Sequence, residues 1–382
     1  MKFLFASDSF KGSLSSAKTV ELLSKAAKEV FGSCVCSGVP VADGGEGTTD
    51  AVIGAVGGGR VTLPVHGPLM EMAEAYYGRL DETRAVLEMA AASGLPMVPP
   101  QKRNPLHTTS YGAGEMIRHA LDQGFRDISI AIGGSATNDG GMGCMRALGV
   151  RFLDAQGTEL PGNGADLINV AQIDISGLDS RVSQTVFTAM CDVTNPLCGR
   201  DGATYTFGRQ KGGTPEILDE LEAGMQNYRD VIRRQFGVDP DAFPGAGAAG
   251  GLGAALLVFL HAKLKSGIET VLDLIGFDER LEGVSLVVTG EGRTDWQSCF
   301  GKVMQGVGMR CKKKGIPAVA LVGGMGEGAE QIFDYGICSM ITSISGIMEL
   351  EEAMEHAEQY YYSAAIRMFR MIKTGMELKQ LP

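Results

Sequence analysis

The sequence predicts an α/β protein: a discontinuous parallel-sheet domain built from both ends of the chain, with a second α/β domain inserted between them. Three observations predict it. Strand and helix patterns alternate near both termini. The strands there are apolar along most of their length, as in a parallel sheet covered on both faces. The 382 residues also exceed one core of ordinary size, so two domains are expected.

In chain order, "KFLFAS" is a strand and 16–30, "SAKTVELLSKAAKEV", has helical periodicity. "CVCSGVPVAD" and "TTDAVIGAVG" repeat the strand–helix order. "GRVTLPVHG", "AEAYYGRL" and "TRAVLEMA" are short runs joined by brief turns and predict an antiparallel meander. A helix at 112–123, the strand "DISIAI", a helix opening after the glycines at 140–143 and the strand "TVFTAMCDV" follow. "LGAALLVFLHAKL" reads as a helix. "SLVVTGEG", "PAVALVGG" and "CSMITSIS" return to apolar strands separated by helical segments. Residues 350–375 form an amphipathic helix whose Met, Tyr and Phe are read as packing. The predicted division is 1–64 with 285–382 as one domain, and 65–284 as the insert.

Bulk properties remove several functions. A net charge of −11 leaves no basic excess to neutralise nucleic-acid phosphates. The opening "MKFLFASD" lacks the pattern of a signal peptide, and no apolar run is long enough for a bilayer, so a cytoplasmic protein without membrane partners is expected. The eight cysteines are scattered, without the paired spacing of a zinc site, and are read as reduced thiols.

Glycine is the outlier, and it clusters at strand ends. Five loops share one form, an apolar strand ending in Gly with Ser, Thr, Asp or Lys: "SDSFKGS" (7–13), "VADGGEGTTD" (41–50), "GGSATNDGG" (133–141), "CDVTNP" (191–196) and "TGEGRTD" (289–295). In open α/β sheets ligands bind beyond the carboxyl ends of strands, where small residues let backbone N–H groups face phosphate oxygens. Together the loops predict a polyanionic ligand. Lys11 stands where a phosphate-facing cation belongs, and Ser15 or Ser16 can cap the following helix. Asp8, Asp43, Asp139, Asp192 and Asp295 all fall at or after strand ends, where aspartate is also a common turn residue. Converging carboxylates repel a phosphate unless Mg²⁺ is present or one of them accepts a proton; phosphoryl transfer needs both. "GAGAAG" at 245–250 matches G-x-G-x-x-G, but the segment before it contains Pro240 and Pro244 and is no strand. It reads either as an anion-facing turn or as a place of tight helix packing. Walker and protein-kinase signatures are absent.

The ordered motifs "SDSFKGSLSS", "PVADGGEGT", "LEMAAASGL", "RNPLHTTSYGAGE", "GGSATNDGGMG", "CDVTNPLCG", "GAGAAGGLGAAL" and "GEGRTDWQS" resemble those of the type 1 glycerate kinase family, over residues 1 to about 345. The resemblance implies a flavodoxin-like discontinuous domain, an inserted domain with a core similar to restriction endonucleases, and an active site in the cleft between them. It implies ATP-dependent phosphorylation of D-glycerate, to 2-phosphoglycerate in many members, with 3-phosphoglycerate the other product. The site residues it implies are Asp8, Ser9, Lys11, Asp43, Glu46, Ser135, Asn138, Asp139, Asp192, Asn195, Glu291, Arg293, Asp295 and Gln297. Lys11 and Arg293 would stabilise the transferred phosphoryl group, Asp192 or Asp43 would be the base, and Asp295 and Asp139 would hold Mg²⁺. The remaining residues would bind glycerate or nucleotide. Trp296, Phe300 and Met304 depart from the small residue, histidine and proline common in relatives, so a catalytic histidine at 300 is excluded. Two rivals stand beside the kinase: a non-catalytic sensor of a nucleotide or hydroxy acid on the same fold, and a nicotinamide-dependent dehydrogenase, disfavoured by the misplaced glycine motif.

Overall fold

A computed structural model describes residues 1–10, 12–299 and 301–378, with Gln297 by its backbone only. The protein is a mixed α/β structure with parallel sheets, and the chain divides into two compact units. The first comprises Met1–Asp43, Gly54–Val56 and Gly267–Pro382; the second comprises Gly44–Ile53 and Gly57–Ser266.

The sheet of the first unit has five strands in the spatial order Ile337–Thr342, Ala318–Val322, Leu286–Thr289, Lys2–Phe5 and Val35–Gly38. Every pairing in it is parallel. Helix Ser16–Phe31 starts where Ser15 caps it, accepting from Lys18 N at 3.2 Å, and stops at Gly32 with φ 66°. Its buried face, Thr19, Leu22, Leu23, Ala26 and Ala27, follows the helical period. The long helix Ala357–Leu378 packs beside it, burying Tyr361 and Phe369 with Phe3 and Phe5. The single amphipathic helix expected over 350–375 is therefore two, Leu350–Glu355 and Ala357–Leu378, broken at His356. Packing explains Tyr361, Met368 and Phe369; Met354 instead faces a cavity described below.

The second unit is built on a six-stranded sheet in the order Lys263–Lys265, Val186–Met190, Asp127–Ala131, Arg84–Glu88, Met72–Arg79 and Gly59–His66. The last three form the expected antiparallel meander, and the other pairings are parallel. Tyr77, Phe152, Phe187 and Tyr228 are fully buried in its core. The boundaries expected at 64/65 and 284/285 move. Gly59–His66 pairs with Met72–Arg79 along its full length, which commits it to the second sheet, and the segment from Gly267 onward belongs to the first unit. "LGAALLVFLHAKL" also differs: the helix ends at Leu260, His261 turns left-handed at φ 53°, and Lys263–Lys265 becomes an edge strand. No helix among the described residues is long and apolar enough to cross a membrane.

Candidate active site

A cavity of about 610 Å³ lies at the carboxyl ends of the first unit's sheet, and all five strands deliver residues to it. Asp8 and Ser9 follow the first strand, because Ala6 and Asp8 continue its backbone pairing by donating to Val288 O and Gly290 O, each at 2.9 Å. Asp43 follows the second strand, and Glu291 and Arg293 follow Leu286–Thr289. Gly323 and Gly324 come from the fourth strand and Ser343 from the fifth. Asp8 and Glu291 lie after the two adjacent strands between which the strand order reverses, the crevice where open α/β sheets bind ligands.

The cavity has two chemically different walls. One carries Asp8, Asp43, Glu291, Arg293 and Lys302. The other carries Phe10, Leu14, Met325, Ile344, Met348 and Met354. Glu291 is 5% exposed, and Thr294 Oγ1 donates to its Oε1 at 3.0 Å. Burial pushes its carboxyl up, against the opposing pull of Ser298, Lys302 and Thr294. Arg293 is exposed and held on a two-residue strand paired with Gly324–Met325. Ser9 N donates to Asp8 Oδ1 at 2.6 Å.

Of the residues selected from sequence, the structure thus brings together Asp8, Ser9, Asp43, Glu291 and Arg293. Lys302, noted in the charged run at 290–302 but not selected, and Ser343, not noted, also line the cavity. A lysine thirteen residues beyond the end of the strand Leu286–Thr289 is too far along the chain for strand-end position to mark it, although "GEGRTDWQSCFGK" does end on it. Lys11 and the side chain of Gln297 lie outside the described residues. Asp295 opens the turn Trp296–Cys299 and is not among the cavity-lining residues.

The loop "GGSATNDGG" is a different object. Asn138 and Asp139 are fully buried. Asp139 Oδ2 accepts from Ser110 N and Ser110 Oγ, both at 2.7 Å, and from Gly143 N at 3.2 Å. Its Oδ1 accepts from Gly141 N at 3.0 Å. Burial pushes its carboxyl up and these four donors hold it down. Both oxygens of Asp139, the residue expected to hold Mg²⁺, already accept from partners inside the protein. Asn138 likewise turns inward, its Nδ2 donating to Thr204 Oγ1 at 3.1 Å. Gly250, at φ 65°, closes on the loop from outside; a Cβ there would lie 2.0 Å from Thr137 O. That settles "GAGAAG" as tight packing. At the near end of the loop Gly133 and Gly134 are exposed and Ser135 retains 7% exposure. Lys211, which sequence reading missed, is buried beneath them, donating to Ser135 Oγ at 2.8 Å and Thr137 O at 2.7 Å.

The other second-unit candidates divide similarly. Glu46 is exposed, and its loop is anchored by Glu88, which accepts from Thr49 N at 2.6 Å and Gly47 N at 3.2 Å. Asn195 uses its amide within its own loop, donating to Asp201 O at 2.7 Å. Asp192 is exposed and accepts from Ser266 Oγ at 3.0 Å. Among the described residues no three His, Cys, Asp or Glu side chains stand close enough to share a metal ion.

Fold and site together define an α/β protein whose parallel-strand ends line one amphipathic, charge-bearing cavity. The glycerate kinase family pattern matches residues 3–373. The chain is 44% identical over 377 residues to a glycerate 2-kinase of Escherichia coli K12, covering 98% of this chain and 99% of that one. It is 43% identical over 374 residues to a glycerate kinase of Bacillus subtilis strain 168, covering 98% of each. A crystal structure of a Salmonella typhimurium LT2 protein, proposed to be a glycerate kinase 2, superposes with a TM-score of 0.90 at 42% identity over 99% of both chains. The chain belongs to the glycerate kinase family.

Proposed function

We propose that the chain is a kinase that transfers the terminal phosphoryl group of ATP to D-glycerate, with 2-phosphoglycerate as the product. Family membership supports the kinase activity and its substrates. The structural observation that carries the reading is the convergence of Asp8, Ser9, Asp43, Glu291 and Arg293 on one cavity at the strand ends. The five strands, numbered within the first unit, run 2-1-3-4-5 across the sheet, which supports the flavodoxin-like description.

The cavity suits the nucleotide rather than glycerate alone. A three-carbon hydroxy acid has no use for 610 Å³ or for a wall of methionine, leucine and isoleucine. The apolar wall is assigned to the base and the charged wall to the phosphates. Arg293 and Lys302 are the cations on that wall, and they offset phosphate charge as the β–γ bond breaks. Mg²⁺ bound with ATP is held by one or two carboxylates together with phosphate oxygens and water. Asp8 and Asp43 fit that mode, which needs no three-residue protein cage. The ion would supply further charge neutralisation at the phosphates.

A coupled assay of ADP release tests the reading. ADP should form only when D-glycerate and ATP are both present, and phosphorus NMR should show the new ester at the 2-oxygen. Binding of both ligands without turnover would instead make the protein a sensor.

A further inference from the structure

Among the described residues, one buried cation is left unused by the kinase reading. Lys211 is 3% exposed, sits in the turn Arg209–Lys211, and points its Nζ at Ser135 Oγ (2.8 Å) and Thr137 O (2.7 Å). Both acceptors belong to the loop that follows the strand Asp127–Ala131. A lysine that merely braced a loop could do so from its surface; burying the ammonium costs several kcal/mol unless it is well paired. Its orientation has a consequence for Ser135. When Nζ donates, Ser135 Oγ is the acceptor, and the serine's own proton points elsewhere. Elsewhere here is the exposed turn Gly133–Gly134, next to the loop Gly44–Gly45: a Cβ on Gly133 would be 3.8 Å from Gly44 O and Gly45 Cα.

We propose that Lys211 is a positioning residue for substrate binding: by donating to Ser135 Oγ and Thr137 O it directs the Ser135 hydroxyl proton to a substrate oxyanion at the exposed Gly133–Gly134 turn. The inference rests on the kinase reading for the identity of the oxyanion, which is either the glycerate carboxylate or an ATP phosphate. Its charge state matters. Burial pushes the Lys211 ammonium down from 10.5 to about 7, with the Asp139 carboxylate pulling the other way. Asp139 in turn bears on Cys144 and Tyr228. Of the nearby arginines, Arg209 is exposed and Arg103 turns its guanidinium to Val98 O at 3.3 Å. Below about pH 7 Nζ has only donors, and Ser135 must accept. Above it the free amine gains a lone pair that competes for the Ser135 proton.

The test measures KM for D-glycerate and KM for ATP separately from pH 6 to pH 9, for wild type, Ser135→Ala and Lys211→Met. In wild type one of the two constants should rise roughly ten-fold across the range, about the value of one hydrogen bond to a charged group; which constant rises identifies the oxyanion. Ser135→Ala should show the raised value at every pH. Lys211→Met should flatten the profile too. Flat profiles for both substrates in wild type, or a Ser135→Ala enzyme with both constants within two-fold of wild type, would overturn the proposal. Calorimetric titration of D-glycerate and of ATP into wild type and Ser135→Ala asks the same question without turnover. A chain that binds a ligand through Ser135 yet makes no ADP would sink the kinase reading and leave this inference standing.

Discussion

The strand-end loops of the first unit and the loop at 133–141 of the second are written in the same letters, and they do opposite things. Asp8, Ser9, Glu291 and Arg293 follow apolar strands and face an open cavity. Asn138 and Asp139 also follow an apolar strand, and they are fully buried. The difference lies in what covers them. Gly250 and Gly251, left-handed residues in the turn that leads into the helix ending at Leu260, approach the second loop so closely that a Cβ on either would meet backbone, at 2.0 Å from Thr137 O and 2.8 Å from Gly140 Cα. Around the first set, Gly323 also packs against backbone, a Cβ there lying 2.2 Å from Gly292 O, but the next residue is open: a Cβ on Gly324 would meet nothing within 4 Å. A polar glycine-rich loop is thus either a ligand wall or an internal brace, and the side-chain chemistry of the loop alone does not say which.

The contrast can be broken most directly at Asp139. Asp139→Ala strips the acceptor from Ser110, Gly141 and Gly143, and should cost about 3–5 kcal/mol, the scale for breaking a buried charged network. Urea unfolding reads it; stability within 1 kcal/mol of wild type would show that the loop is not braced through this carboxylate. Arg293→Met makes the opposite prediction. The residue is exposed, so the unfolding midpoint should hold while kcat falls by roughly 10²–10³, the usual loss on removing one charge-stabilising donor. Steady-state rates and a melt on the same sample separate the two.

A smaller effect belongs to the apolar wall. Met354→Lys places an ammonium against Phe10 and Leu14 and should raise KM for ATP by about ten-fold, or 1.4 kcal/mol. KM for D-glycerate should stay put, and an unchanged KM for ATP would remove the base from this wall. The smallest effect concerns Glu291, whose folded carboxyl is raised above 4.5 by burial. Above pH 4.5 the folded chain keeps a proton that the unfolded chain releases, so this group's contribution falls as pH rises through that window. Glu291→Gln cannot ionise and should gain on wild type as pH rises from 4.5 to neutrality. Paired unfolding curves at the two ends check the sign.

The parallel sheet of the first unit was legible because its strands are short apolar runs bounded by turn residues, and the helix after the first strand carries its own cap at Ser15. The site was half legible. Asp8, Asp43, Glu291 and Arg293 stand next to strand ends, so topology alone carries them to the sheet's edge. Lys302, Glu88 and Lys211 had no such marker. Glu88 reads as the tail of a strand and anchors a loop 39 residues away in sequence; Lys211 lies 76 residues from Ser135.

By itself, then, the sequence determined the alternation of strands and helices, the antiparallel meander and the placing of Asp8 and Glu291 at strand ends, because each is set by local pattern, turn chemistry and chain direction. Only the tertiary structure decided that Asn138 and Asp139 point inward, that Lys211 lies under Ser135 and that "GAGAAG" is a packing surface. Those outcomes depend on how closely a helix more than a hundred residues further along the chain can approach one loop. That distance is a property of packing between remote segments, which no local pattern records.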